Sequence, residues 1–238
     1  PQSPIPNPQS PIPNIFYIII LIYLYYYHKN KKMTEETNIK IIIIGMSGTG
    51  KTNIINAAID NPFSEENQST LTSSFISKNI TIEKKRYHIE LWDTAGQEKF
   101  KSLTKLFIVD SKVVIFVYDI TQKKSFEEID YWTKTTKEAL GNYPVYALFG
   151  NKKDLYLEEE VSEDEGNKKA EEIGAYFRLT SAKTERENIN HYIEELVGMF
   201  VKKNKKNEKS EIAHREESFT LQYYNDKKKK KNKCCEKN

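Results

Sequence analysis

Two cysteines are all that this 238-residue chain has, and Cys234 and Cys235 stand side by side near its end. Adjacent thiols cannot staple distant segments, so no disulfide framework supports the fold and a reducing compartment is expected. Histidine is also sparse, with four in the chain. His28, His88, His191 and His214 are scattered without ligand spacing, which argues against a metal centre built on imidazoles. Neither charge sign dominates: a net +3 is too small to imply nucleic acid as a partner, and none is expected. A run long enough to span a membrane is also missing. Ile15 to Tyr27 is an unbroken apolar stretch of thirteen residues, and as a helix it would cover about 20 Å of a ~30 Å hydrocarbon core. It lacks a basic leader and a small-residue cleavage site, so it makes a poor signal peptide.

The head of the chain is repetitive. Residues 1–14 double the heptapeptide PQSPIPN, a composition that favours polyproline or disorder. The first methionine is Met33, and the residues before it are those that an AT-rich stretch encodes when read through. Residues 1–37 form a low-complexity and apolar leader ahead of the folded domain, of which 1–32 are expected to be translated leader sequence or an unusual extension, with the working protein starting at Met33. A membrane-anchored N-terminus is the alternative, and an endogenous peptide from residues 1–32 would overturn the leader reading.

What the chain has in quantity begins at Ile39. Strand and helix patterns alternate from there, which predicts an α/β domain with a largely parallel sheet. Ile39 to Ile44, Val113 to Tyr118 and Val145 to Phe149 are short apolar runs suited to buried strands, with a shorter strand over Tyr176 to Thr180. Phe75 to Ile82 and Tyr87 to Trp92 alternate as half-covered strands do. Helices are expected from Lys51, over Ser125 to Leu140, over Glu163 to Ile173 and over Asn188 to Val201. In the last of these, Ile189, Tyr192, Ile193, Leu196, Val197 and Phe200 recur at helical spacing and read as core. After Lys202 the periodicity stops, so the domain is expected over 38–203, with a solvated tail over 204–238.

The run Ile41-Ile42-Ile43-Ile44 empties directly into GMSGTGKT, Gly45 to Thr52. Gly45, Ser47, Gly48, Thr49 and Gly50 let the backbone wrap with its N–H groups aimed at an anion, Lys51 adds positive charge, and Thr52 offers a hydroxyl to Mg²⁺. The helix opening here turns the positive end of its dipole to the same place. Such a loop binds a nucleoside polyphosphate. Asp93, in WDTAGQE, closes a strand and is suited to hold Mg²⁺ through a water. Gly96 permits close backbone approach to a terminal phosphate, and Gln97 can orient an attacking water.

Base choice is expected further on. In Asn151-Lys152-Lys153-Asp154, the Asp154 carboxylate can accept from guanine N1 and the exocyclic amine, a donor pair that adenine lacks. Asn151 ties this loop to its neighbours, and the Lys152 stem can lie along the base. Ser181-Ala182-Lys183 offers a backbone N–H to the guanine carbonyl. Alone, N-K-x-D also fits a solvated turn. Order and placement at strand ends make the set specific.

Over about 38–203, the ordered set GMSGTGKT, WDTAGQE, NKKD and SAK resembles the Ras-superfamily small GTPases, and within them the Rab family. Lys99-Phe100-Lys101-Ser102-Leu103-Thr104 and Ile115-Phe116-Val117-Tyr118-Asp119-Ile120-Thr121 carry the Rab likeness, while no Rho-type insertion follows NKKD and Met33-Thr34 offers no myristoylation glycine. The resemblance implies a three-layer P-loop G domain with a six-stranded, mostly parallel sheet and about five helices. It implies GTP and GDP as ligands with Mg²⁺, Thr70 as a further metal ligand and Phe63 as an aromatic stacked on guanine. Also implied are a monomer, a GTPase-activating protein, an exchange factor, a GDP-dissociation inhibitor or escort protein, and effectors that read the switch regions. Two stretches depart from the Rab pattern: Leu71-Thr72-Ser73-Ser74-Phe75, where Ile-Gly usually follows the switch threonine, and Leu106-Phe107-Ile108-Val109-Asp110, where Tyr-Tyr-Arg-Gly is usual.

Lys227 to Lys231 and Lys233 form a basic block directly before Cys234-Cys235-Glu236-Lys237-Asn238. Two prenyl groups, or one with a polybasic patch, anchor a protein to an anionic cytoplasmic leaflet. The di-cysteine resembles the Rab double-prenylation site. A single C-a-a-X modification at Cys235 is disfavoured by charged Glu236 and Lys237, and an inert tail is the third possibility. The resulting expectation is a Rab-like GTPase of vesicle trafficking on the cytoplasmic face of an endomembrane, with a soluble pool. A Ras-like signalling GTPase and a nucleotide-locked scaffold with little catalysis are the alternatives.

Overall fold

The computed structural model describes residues 38–63, 74–94 and 101–206. Six strands form one sheet: β1 Asn38–Ile44, β2 Ser74–Ile82, β3 Lys85–Asp93, β4 Val113–Asp119, β5 Val145–Asn151 and β6 Tyr176–Leu179, in the order β2-β3-β1-β4-β5-β6. Only the β2–β3 hairpin is antiparallel. The described helices are α1 Lys51–Ala58, α2 Lys101–Ile108, α3 Lys123–Leu140, α4 Glu163–Ile173 and α5 over 186–206, with a 3₁₀ turn over Lys153–Glu158.

β1 is the centre of the sheet because isoleucine suits a pleated surface buried on both sides. Ile39, Ile41 and Ile43 join Ile54 and Ile55 of α1 and Ile189, Ile193, Leu196 and Val197 of α5 in one core. Ile42 and Ile44 are fully buried on the other face. There Tyr118 of β4 meets Phe126 of α3 edge-on at 4.9 Å, and Gly166 of α4 lies against Tyr118 and Phe177. Each fully buried isoleucine contributes roughly 1.5–3 kcal/mol relative to exposure. On α3, Ser125, Phe126, Ile129, Trp132, Thr133 and Thr136 are buried, the one-face spacing expected of an amphipathic helix.

α4 is started by a complete capping box. The Ser162 hydroxyl accepts from Glu165 N, while Ser162 N donates to Glu165 Oε2 at 2.9 Å. Lys123 also pairs with Glu165, and these contacts hold its carboxyl down at about 2, the Lys123 hydrogen bond being the largest cause. A depressed folded-state value means that the stabilisation is complete above about 4.5 and is lost as pH falls toward 2. Ser162→Ala removes the hydroxyl that accepts from Glu165 N and should lower stability by about 1 kcal/mol at pH 7, read as a drop in melting temperature.

Three features differ from the sequence reading. β2 is the edge strand, and only its second half is half-covered: Ile80 is buried and Lys78 and Ile82 half-buried there, whereas Phe75, Ile76 and Ser77 are all exposed. α2 forms where only a motif was read. The last helix also continues past Lys203 to 206, because Lys203 Nζ donates to the carbonyls of Asn142 and Pro144 and Lys205 pairs with Glu83 at 2.9 Å. No described helix is long and apolar enough to cross a membrane; residues 1–37, with the run Ile15 to Tyr27, lie outside the described residues.

Candidate nucleotide-binding site

Parallel pairing brings the C-terminal ends of β1, β3, β4, β5 and β6 to one edge, and each leads into a polar residue or loop. β1 lies between β3 and β4, where successive connections leave in opposite directions. Ligands of open α/β sheets bind at such a switch point. The loop after β1 passes so close to β4 that a Cβ on Gly45 would strike the Val117 carbonyl. Gly50 has φ 91° and caps α1, and a side chain there would strike the Asn151 amide. The first N–H groups of α1 consequently face the loop.

Lys51 bends over this loop and donates to the Met46 carbonyl at 2.8 Å, which also accepts from Thr49 Oγ1 at 3.0 Å. Burial pulls the Lys51 ammonium down to about 8, against the upward pull of Asp93 and Glu128. A phosphate brought to the loop adds negative charge on the side that favours the protonated form. Thr52 Oγ1 donates to Asp93 Oδ2 at 2.7 Å, so a hydroxyl and a carboxylate converge from α1 and β3. These are oxygen donors of the type a hard divalent cation selects, and Mg²⁺ needs few protein ligands when phosphates supply the rest. Thr94 fixes the end of β3 by donating to the Ile43 carbonyl at 2.7 Å.

Asn151 joins the two halves of the site. Its Nδ2 donates to the Thr49 carbonyl at 2.9 Å, and its Oδ1 accepts from Ala182 N and Thr180 Oγ1, both at 3.2 Å. The phosphate loop and the Ser181–Lys183 loop thus share one buried amide. Asp154 Oδ1 accepts from Ser181 Oγ at 2.5 Å, and Thr184 N donates to the same Ser181 oxygen at 3.0 Å, which fixes the carboxylate beside that loop. Lys152 takes a left-handed φ of 68° and pairs with the fully buried Asp119 carboxylate at 2.6 Å. Its stem is thereby stretched between the ends of β5 and β4. Lys183 Nζ lies 5.8 Å from the Phe63 ring, so those two expected base contacts are brought together.

Of the residues singled out from sequence, Thr70, Gly96, Gln97, Cys234 and Cys235 lie outside the described residues. Asp119 was not singled out as a site residue. It accepts from Thr121 N at 3.0 Å and Thr121 Oγ1 at 2.8 Å besides holding Lys152, and its signal was positional: it ends β4 as Asp93 ends β3 and Asn151 ends β5.

A second surface flanks the site. Phe75 stacks on Trp92 at 5.0 Å, and Phe107 tilts against Trp92 at 5.7 Å. Trp92 is held from beneath by Lys40, 4.3 Å from the ring, and by Glu90, which accepts from its indole N–H at 3.2 Å. Phe75, Leu106 and Val109 are exposed around it. The departure at Leu106–Asp110 therefore alters a surface and leaves the nucleotide edge untouched.

This fold and edge define a phosphate-loop nucleotide-binding protein. The family model described as Ras family matches residues 40–202. Relatives include the Ras-related protein Rab-21 of Bos taurus and of Homo sapiens, each 39% identical over 157 residues, which cover 66% of this chain and 68% of the relative. The Mus musculus protein of the same name is 38% identical over the same span. The chain belongs to the Ras family, as a divergent, Rab-like small GTPase with the mostly parallel six-stranded sheet of that class.

Proposed function

We propose that this GTPase is a membrane-attached switch in vesicle trafficking, cycling between GTP and GDP. The observation that carries the reading is the Asn151 amide, which links phosphate loop and base loop at 2.9 and 3.2 Å. Lys51 and the backbone from Gly45 to Gly50 would hold the phosphates, and Asp154, braced by Ser181, would select guanine with Phe63, Lys152 and the Ala182–Lys183 backbone against the base. Thr52, Thr70 and Asp93 would hold Mg²⁺, which when bound neutralises phosphate charge. Gln97 would orient the attacking water.

Among the described residues, no arginine is placed to serve as an arginine finger in cis. Single-turnover hydrolysis should therefore proceed on the order of 10⁻⁴ s⁻¹ alone and rise by up to ~10⁵-fold with a partner supplying one. Measuring GTP turnover with and without cell extract tests this, and a chain that binds GTP yet gains nothing from extract would be a scaffold instead. An exchange factor, a GDP-dissociation inhibitor or escort protein and effectors complete the proposed cycle. Likeness to proteins named Rab-21 and the basic di-cysteine tail support an endomembrane location on the cytoplasmic face. Domain limits of 38–203 with a tail over 204–238 belong to the same proposal. Replacing Cys234 and Cys235 by serine should move the protein from the membrane to the soluble fraction of lysed cells, because lysines alone bind bilayers only reversibly. A double variant that stayed on membranes would refute lipid anchoring.

A further inference from the structure

The 3₁₀ turn after Asn151 carries Leu155, Tyr156 and Leu157 at 36%, 66% and 86% exposure, three consecutive apolar side chains facing solvent. Singly such residues need no explanation, but three in succession on one short turn leave a ledge of apolar surface open to a contact. Directly beyond it Glu158, Glu159, Glu163 and Asp164 are exposed, and none forms an ion pair among the described residues, whereas Glu160 and Glu165 are tied to Lys123. Their charge is felt inside the fold. After burial itself, Glu159, Glu165 and Glu163 push the Tyr118 phenol upward.

We propose that this ledge is the docking site of the chain's own segment 219–233, which keeps the basic tail off the membrane until anionic lipid competes for it. The proposal rests on the reading of the tail as the membrane-binding element. The segment presents Phe219, Leu221, Tyr223 and Tyr224, then Lys227 to Lys231 and Lys233. Apolar then basic matches the ledge, which is apolar then acidic. Length permits the return. α5 delivers the chain beside Asn142 and Pro144, at the start of β5, while the ledge follows the other end of that seven-residue strand. β5 spans about 23 Å, and the linking residues 207–218 can extend to about 40 Å. Exposed lysine–carboxylate pairs are individually weak. Tethering makes them effective by raising the local concentration of the segment, and an anionic bilayer attracts the same lysines.

The test uses the full-length, unlipidated chain. Carbodiimide coupling at low salt should link Lys227–Lys233 to Glu158–Asp164 within one molecule, with isotope-mixed samples distinguishing links between copies. Replacing Tyr156 and Leu157 by serine changes no charge and touches no core residue. It should abolish the links and raise partition onto phosphatidylserine vesicles roughly threefold or more, the gain from freeing a segment docked about two-thirds of the time. No links, links only between copies, or vesicle binding unmoved by the serine variant would overturn the proposal. A full-length variant with the six tail lysines changed to glutamine distinguishes the other failure. If it binds vesicles as well as the parent does, the membrane reading of the tail falls, while the coupling result still decides docking.

Discussion

Asp154→Asn is expected to weaken binding of guanine nucleotides by roughly 10²- to 10⁴-fold and to leave adenine nucleotide binding as poor as before. The size follows from two hydrogen bonds to a charged acceptor, each worth roughly 1.5–3 kcal/mol. An amide keeps the shape of the carboxylate, so Ser181 Oγ, now 2.5 Å from Oδ1, can still donate to the remaining oxygen. The other position becomes an N–H₂ group that faces the N–H groups of guanine and has nothing to offer them. Xanthine presents a carbonyl in place of the exocyclic amine and should recover much of the loss. Titrating fluorescent GDP and XDP against both proteins measures the switch. If the variant bound GDP as tightly as the parent, Asp154 would have no part in reading the base.

The second large effect is kinetic. Gln97→Leu should retain GTP affinity while partner-stimulated hydrolysis falls toward the intrinsic rate, a loss of up to ~10⁵-fold. Gln97 follows an anchored point. Asp93 meets Thr52 at 2.7 Å, and Thr94 is fixed on the Ile43 carbonyl. Three residues of extended chain span up to about 10 Å, so chain length from Thr94 permits Gln97 to reach a terminal phosphate held over Lys51. Leucine matches glutamine in size and removes both the donor and the acceptor that could orient water. Stimulated turnover is the quantity to measure, in single-turnover assays with extract, alongside a GTP dissociation constant. An unaltered stimulated rate would contradict the role given to Gln97.

The central strands were legible because isoleucine and valine runs have one use in an α/β domain, burial on both faces. The motifs proposed for the nucleotide edge were legible because each is a short run of neighbours in sequence. What sequence hid was everything held by a distant partner. Asp119 is a lone carboxylate until Lys152 arrives from the next strand at 2.6 Å. α2 reads as Lys-Ser-Leu-Thr-Lys-Leu-Phe-Ile, eight residues too short to be stable alone, and Phe107 tilts against Trp92 only in the folded chain. The end of α5 was set too early because lysines at 203 and 205 look like the start of a solvated tail. Glu83 and two carbonyls hold these lysines in the last helix. The exposed start of β2, Phe75 to Ser77, was hidden for a similar reason, since alternation says that a strand has two faces and not how many neighbours it has.

Asn151 has a kinetic corollary. With one amide bonded to Thr49 on one side and Ala182 on the other, opening either loop strains a buried side chain that both share. Displacing either exposes a buried amide dipole that the other must then abandon as well. Nucleotide exit is accordingly expected to couple the two openings, so that an exchange catalyst prying at one end of the cleft would loosen the other without touching it.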